Sequence, residues 1–307
     1  MIVIFGNQGD ICSWQTYEYL KQQELDVVFI DMASDYLSTS GINWSLACSD
    51  KEGFITVNSQ KIPLENITSV LARMIYSSYK EPQLSQKDQD YISSESYATL
   101  IGLLNSLDCL VVNRPKPGMV RAPILVNGEQ VEAVKQCGLK LPNMLVTASH
   151  ERALSFYNSH NQIAIIGSPS TPFFLDLIKG EEGVSKLELV LNQQQPIYLQ
   201  EIPQGQWLQV FVVGNRVFGS SFWFNSQIGV NFPKAELLPE VQEQCCKLAQ
   251  ALDLDFMQVR LVQTEQSEAY CYDINDFPSY FQCDEELQKE IISALAELLE
   301  KGNGGVK

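Results

Sequence analysis

At 307 residues the chain exceeds the size at which a single hydrophobic core stops growing, so two or three packed subdomains are expected. Its 45% apolar and 19% charged residues exclude a disordered polypeptide. Lys and Arg number 21 against 37 Asp and Glu, a formal net charge of -16 that repels nucleic acid and anionic membrane surfaces.

In chain order, Ile2 to Phe5 and Val27 to Ile30 are short apolar runs around a helical stretch from Asp10 to Gln23, which predicts a β-α-β opening. Gly6-Asn7-Gln8-Gly9 lacks the third glycine and the spacing of a dinucleotide fingerprint and reads as a plain strand-to-helix turn. Met1 to Gly6 has neither the basic region nor the long apolar core of a signal peptide, and no apolar run reaches roughly 18 residues, so a cytoplasmic protein is expected. Phe54 to Val57 and Ser69 to Met74 are predicted strands, and apolar residues recur at helical spacing from Asp88 to Leu107. Val111-Val112 starts as a buried strand and breaks into the loop Asn113-Arg114-Pro115-Lys116-Pro117-Gly118, which marks a subdomain boundary.

A helix is predicted from Asn127 to Cys137, stopped at Gly138, a residue type that tolerates a left-handed cap. Met144 to Val146 and Ile163 to Ile166 are predicted strands around a helix from Ser149 to Asn158, capped by Ser149 or Thr147. Farther on, Leu208 to Val213 and Arg216 to Phe224 flank the two-residue hairpin signal Gly214-Asn215. Met257 to Val262 and Ala269 to Ile274 form a second hairpin, so antiparallel sheet is expected. Between the hairpins a helix from Pro239 sets Val241, Cys245, Leu248 and Leu252 on one side. Asp284 caps a last helix whose buried stripe is Leu287, Ile291, Leu295 and Leu298 or Leu299, ended by Gly302 and followed by a mobile tail. The 8 cysteines are scattered without a C-x-x-C pair and are expected as packed thiols. His150 and His160 flank a helix, with no recognisable nucleophile motif to pair with.

The succession of an α/β opening, Asn113-Arg114-Pro115, Gly138 to Thr147, Gln200-Glu201-Ile202, Val212 to Phe218, Asp273-Ile274-Asn275 and a closing helix resembles the ATP-grasp superfamily over nearly the whole chain. Within it the pattern is similar to the branch of ribosomal-protein glutamate ligases and microviridin-type peptide ligases. The resemblance implies an α/β (α+β) fold of ATP-grasp architecture. Its expected parts are an N-terminal α/β pre-ATP-grasp domain over 1–110, a first ATP-grasp subdomain over 111–190, a second with antiparallel sheet over 191–301, and a mobile tail over 302–307. It also implies a ligase that joins a carboxylate to an amine or hydroxyl through an acyl phosphate, with ATP and magnesium as cofactors.

Carried over position by position, the resemblance puts the family's first lysine near Asn127, its second near Gly167, and the arginine that follows the adenine-contacting strand at Gln209. The first magnesium carboxylate falls near Arg260, while the other two metal ligands match Asp273 and Asn275. Gln200, Glu201 and Ile202 either contact the base or simply end a strand. Losing one partner of a buried charged hydrogen bond costs about 2 to 5 kcal/mol, so ~6 kcal/mol over three lost cations weakens ATP binding roughly ten-thousandfold. Asp273 either holds magnesium with Asn275 or pairs with Arg260 across the hairpin. Arg114, Lys116 and Arg121 either receive a carboxylate or phosphate in the cleft or belong to a solvated loop.

The expectation is a pseudo-ligase that needs no cofactor and binds a peptide, a small metabolite or a protein partner, but neither nucleic acid nor membrane. The alternative is an active ligase that uses ATP and magnesium to form an amide or ester bond. A homodimer is left open.

Overall fold

Every residue of β1 (Ile2–Gly6) is buried, the pattern of a strand with neighbours on both edges and cover on both faces. It lies inside a parallel sheet ordered β2-β1-β6-β7, formed with β2 (Val27–Asp31), β6 (Ser69–Ala72) and β7 (Leu110–Val112). The computed structural model describes residues 1–32, 41–44, 53–57, 60–73, 83–115, 128–161, 163–168, 171–192, 196–223 and 231–302. α1 (Ile11–Gln22) starts where the Asp10 side chain accepts the Ser13 N–H at 3.3 Å. α2 (Gln86–Ser106) packs Leu100, Leu103 and Leu104 on Val3, Phe5, Val70 and Val111, which alternate with the residues that face the opposite side. Beside them a small antiparallel sheet joins β3 (Gly41–Trp44), β4 (Gly53–Val57) and β5 (Gln60–Pro63).

The second sheet is antiparallel and ordered β10-β9-β11-β8. Its strands are β8 (Met144–Thr147), β9 (Ile163–Ser168), β10 (Thr171–Lys179) and β11 (Ile197–Gln200). With α3 (Gly128–Gln136) coming earlier in the chain, the helices of this sheet are α4 (His150–Ser159) and α5 (Gly180–Leu191). They cover one face through Ala153, Tyr157 and Leu187 against Ala164, Ile166, Ile197 and Leu199. Ser149 is the cap of α4, and Thr147 in turn accepts the Ser149 N–H at 2.9 Å. The strand β10 and the helix α5 have no counterpart in the sequence expectations.

The third sheet, β13-β12-β14-β15, is antiparallel as expected. It comprises β12 (Gln206–Val213), β13 (Arg216–Ser221), β14 (Phe256–Gln263) and β15 (Ala269–Asn275). Gly214, at φ +56°, takes the first central position of the turn from β12 to β13, where a side chain is disfavoured. On one face, Val210, Val212, Val259 and Leu261 pack against Val241, Cys245 and Leu248 of α6 (Pro239–Ala251) and Ala133 and Val134 of α3. The far end of this sheet, through Phe211, Val213 and Phe256, meets α7 (Glu285–Lys301). Asp284 caps α7 by accepting the Leu287 N–H at 2.8 Å. Its buried stripe of Leu287, Ile291, Leu295 and Leu299 also touches Ile2, Ile4 and Leu71 of the parallel sheet, so one helix fills the space between two sheets.

Side chains lock the N-terminal unit onto the segment that follows β15. Asn113 accepts the Phe256 N–H at 2.9 Å and donates to the carbonyls of Phe256 at 2.5 Å and Asp276 at 2.7 Å. Buried Arg73 grips the Asp10 carboxylate through two nitrogens at 2.5 and 3.0 Å, donates to the Pro278 carbonyl at 2.8 Å, and lies 3.9 Å over the Phe277 ring. The Arg73 guanidinium holds the Asp10 carboxyl below its usual range even though burial pulls the other way. Tyr280 adds a hydroxyl bond to the Cys12 carbonyl at 2.9 Å. No helix among the described residues is long and apolar enough to cross a membrane.

Candidate functional site

The second and third sheets face each other, joined by the short connection that leads from β11 to β12. Along β11, Ile197 and Leu199 point into the core under α4 and α5, so Tyr198 and Gln200 take the opposite face. There Ile165 of β9 meets Val262 and Tyr272 of the third sheet, flanked by Ile202, Trp207 and Tyr270. This apolar and aromatic seam is the floor of the candidate site.

On the third sheet two rows of directly opposed residues cross the strands. One is Gln209, Arg260 and Asp273; the other is Phe211, Gln258 and Asn275. The amides in these rows are bonded to one another. Gln209 Nε2 reaches the Cys283 sulfur at 3.4 Å, and Gln258 Nε2 donates to Gln209 Oε1 at 3.1 Å. Gln258 Oε1 accepts from Asn275 Nδ2 at 3.3 Å and from the Ser279 N–H at 3.1 Å, while Asn275 Oδ1 accepts the Phe277 N–H at 2.9 Å. Burial drives the Cys283 thiol up to about 12, so the end of this chain is a neutral S–H.

Arg260 and Asp273 form an ion pair, Nη1 to Oδ2 at 3.3 Å, and the guanidinium lies 4.8 Å from the Phe222 ring. Burial raises the Asp273 carboxyl above its usual range, and Arg260 pulls it back toward ionisation. The Tyr198 hydroxyl is raised too, by burial and then by the Asp273 charge.

Gln200, Glu201 and Ile202 all lie at this seam. Gln200 is 0% exposed, and among the described residues neither its amide oxygen nor its amide nitrogen has a partner. Glu201 is fully engaged: its carboxylate accepts from the Asn143 N–H at 2.9 Å and Asn143 Nδ2 at 2.7 Å, with His160 Nε2 at 3.1 Å. Its backbone carbonyl accepts the Tyr272 hydroxyl at 2.8 Å. Gly167 is buried in β9 between Tyr198 and Leu175, with no side chain to offer a charge.

Thus Gln200, Glu201, Ile202, Gly167, Gln209, Arg260, Asp273 and Asn275 come together on the two facing sheets. Arg114 does not join them. Its guanidinium donates to the carbonyls of Leu104, Leu107 and Cys109 at the C-terminal end of α2, the interaction that cations make with orphan helix carbonyls. Asn127, Lys116 and Arg121 lie outside the described residues, as does the tail from residue 303. Sequence reasoning missed His160, Asn143, Tyr198, Tyr272 and Gln258. For the tyrosines a signal existed in Ala269-Tyr270-Cys271-Tyr272, whose alternation sets both rings on one face of a strand.

No family model matches the chain, and no curated protein does. Solved structures do. A RiPP-associated ATP-grasp ligase from Chryseobacterium gregarium, in complex with ADP and a leader and core peptide, is similar over 98% of this chain and 96% of its own, at 19% identity and TM-score 0.77. The macrocyclase MdnC from Microcystis aeruginosa, bound with precursor peptide MdnA, is similar over 98% of this chain and 99% of its own, at 18% identity and TM-score 0.77. A RimK domain ATP-grasp protein from Sphaerobacter thermophilus covers 97% of this chain and 98% of its own at 11% identity and TM-score 0.60. A parallel N-terminal sheet followed by two facing antiparallel sheets, matched almost end to end by these structures, means that the chain has the ATP-grasp fold.

Proposed function

We propose that this protein is a pseudo-ligase, an ATP-grasp fold that binds a peptide, a small metabolite or a partner protein without ATP-dependent chemistry. The observation that carries the reading is the 3.3 Å ion pair between Arg260 and Asp273. Where the resemblance asks for a carboxylate on magnesium, a guanidinium stands instead, and it already neutralises the one ionisable group of the remaining pair. A cation beside the site repels a divalent ion and satisfies the carboxylate that would bind it. Asn275 is committed to Gln258 and the Phe277 N–H, and Gln209 supplies an amide where a phosphate would need a cation. The residues present therefore do not fit magnesium-ATP, and no catalytic step is routed through it. The peptide part of the reading is supported by neighbours of the same fold that are complexes with leader, core or precursor peptides.

Calorimetric titration with magnesium-ATP tests the proposal. The expected result is no binding tighter than about 100 µM. Tighter binding would revive the active-ligase reading, and stoichiometric ADP release in the presence of peptides or small acidic metabolites would establish it.

A further inference from the structure

Beside the turn that joins β12 to β13, α6 presents Ala249 and Gln250 from its last turn, and α7 presents Ala294, Glu297 and Leu298. Ala249 and Ala294 follow or precede Leu248 and Leu295, which fill the cores on either side. These short side chains, with Gly214 in the turn, leave a cavity of about 590 Å3, the size of a small-molecule site. It lies at the other end of the third sheet from the aromatic seam. Val213 lines the cavity and Trp207 the seam, roughly 20 Å apart along β12.

The charged groups around this cavity differ in how they are satisfied. Glu297 is held by two cations, Arg216 at 3.1 Å and Lys301 at 3.8 Å. Asp255 gives its backbone carbonyl to the Gly214 N–H at 2.8 Å, whereas its carboxylate has neither a hydrogen bond nor an ion pair among the described residues. Burial, and then the charge of Asp253, raise this carboxyl above its usual range. Arg114 is near enough for its charge to act the other way, but its guanidinium donates to the carbonyls of Leu104, Leu107 and Cys109. The last turn of α6 also brings the partial negative charge of a helix C-terminus.

A half-buried carboxylate without a partner destabilises the fold, and a cation that fits the cavity would offset that. Metal ions fit poorly: no group of three or more His, Cys, Asp or Glu that could hold one gathers among the described residues. An aliphatic ammonium meets both features of the cavity. Its N–H donors suit the Asp255 carboxylate, and its methylenes suit Val213, Leu254 and Leu298.

We propose that this cavity binds a primary ammonium on an aliphatic stem, carried by a free alkyl amine or by a lysine side chain, with Asp255 as the seat of the ammonium and Val213, Leu254 and Leu298 as walls for the stem. The site is separate from the seam and does not rest on the pseudo-ligase reading.

Cadaverine stands for the free amine, Nα-acetyl-lysine methylamide for the side chain, and 1-pentanol for the stem without its charge. Each is titrated calorimetrically against wild type, Asp255→Asn and Asp253→Asn. The two variants each remove one negative charge, so the general attraction of cations to an acidic protein changes equally in both. At least one ammonium probe is expected to bind wild type with a Kd of about 1 mM or tighter, and 1-pentanol is expected to bind more weakly than that. Asp255→Asn is expected to weaken the ammonium probe at least about tenfold, and Asp253→Asn less than about threefold. The tighter of the two ammonium probes identifies the source. A Kd above about 1 mM for both, a smaller loss in Asp255→Asn, an equal loss in Asp253→Asn, or 1-pentanol binding as tightly as the amines overturns the site. Asp255→Asn keeps the shape of the side chain and is expected to fold. Melting temperatures give a second readout, since the bound probe is expected to raise that of wild type and of Asp253→Asn but not that of Asp255→Asn.

Discussion

Arg260→Asp sets a second carboxylate directly opposite Asp273, because the two positions are paired across β14 and β15. Two carboxylates at that range resist joint ionisation, so the variant is expected to melt below wild type in metal-free buffer. Added magnesium is expected to restore part of the loss, since an ion that binds only the folded state stabilises it by mass action. Melting temperatures of both proteins with and without magnesium check this; a variant that melts like wild type and ignores magnesium would refute the assignment of Arg260 to the metal position. A second residue carries a pH signature. Burial, and then the charge of Asp253, raise the Asp255 carboxyl in the folded state. The folded protein then holds that proton more tightly than the unfolded chain does, so stability falls as pH rises through the raised value. Asp255→Asn is expected to raise the melting temperature at pH 7, with the gain shrinking as pH falls toward ~4, where the unfolded carboxyl is protonated as well. At this scale the sequence exposed the chemical identity of Gln209, Arg260, Asp273 and Asn275 and offered the pairing of Arg260 with Asp273, but not the partners of the amides. That Cys283 would close the amide chain depends on segments that meet only in the folded molecule, whereas the carbonyls that Arg114 reaches are 5 to 10 residues away and are set by where α2 ends.

Elements were legible where one local signal sufficed. Asp284 ahead of an apolar stripe announced α7, and Gly214-Asn215 between alternating strands announced the β12 to β13 hairpin. α5 was hidden by its glycines. It begins at Gly180 and contains Gly183, and a Cβ at Gly183 would stand 2.1 Å from the Tyr157 hydroxyl, so packing outweighs helix propensity there. The bulge at Tyr272 was hidden as well, because strict alternation and one extra residue look alike along a single strand. The Asn113-Arg114-Pro115 motif is where family resemblance and structural role part company: the asparagine joins the end of β7 to β14 and to the segment after β15. Asn113→Ala leaves one N–H and two carbonyls unpaired, and is expected to cost about 2 to 4 kcal/mol in a denaturant titration. A loss under about 0.5 kcal/mol would mean that water replaces all three bonds.

At the scale of the whole molecule, the decisive element is α7, whose buried stripe belongs to the parallel sheet and to the third sheet at once. A helix shared in this way couples the two units, so Leu295→Ala, at a cost of about 2 to 5 kcal/mol, is expected to lower a single calorimetric transition for both. A split into two transitions would show that each core stands alone. The same arrangement has a consequence in time. β1 and α7 lie at opposite ends of the described chain, and the cluster that holds Ile2 and Ile4 is covered in part by Cys12 and Leu20 of α1 and is completed only by residues beyond Asp284. During synthesis at roughly 5 to 20 residues per second, that face of the first strand waits about 15 to 60 s for its partner helix. Over that interval the nascent chain carries an uncovered apolar surface, and a ribosome that stalls before α7 leaves it exposed for as long as the stall lasts.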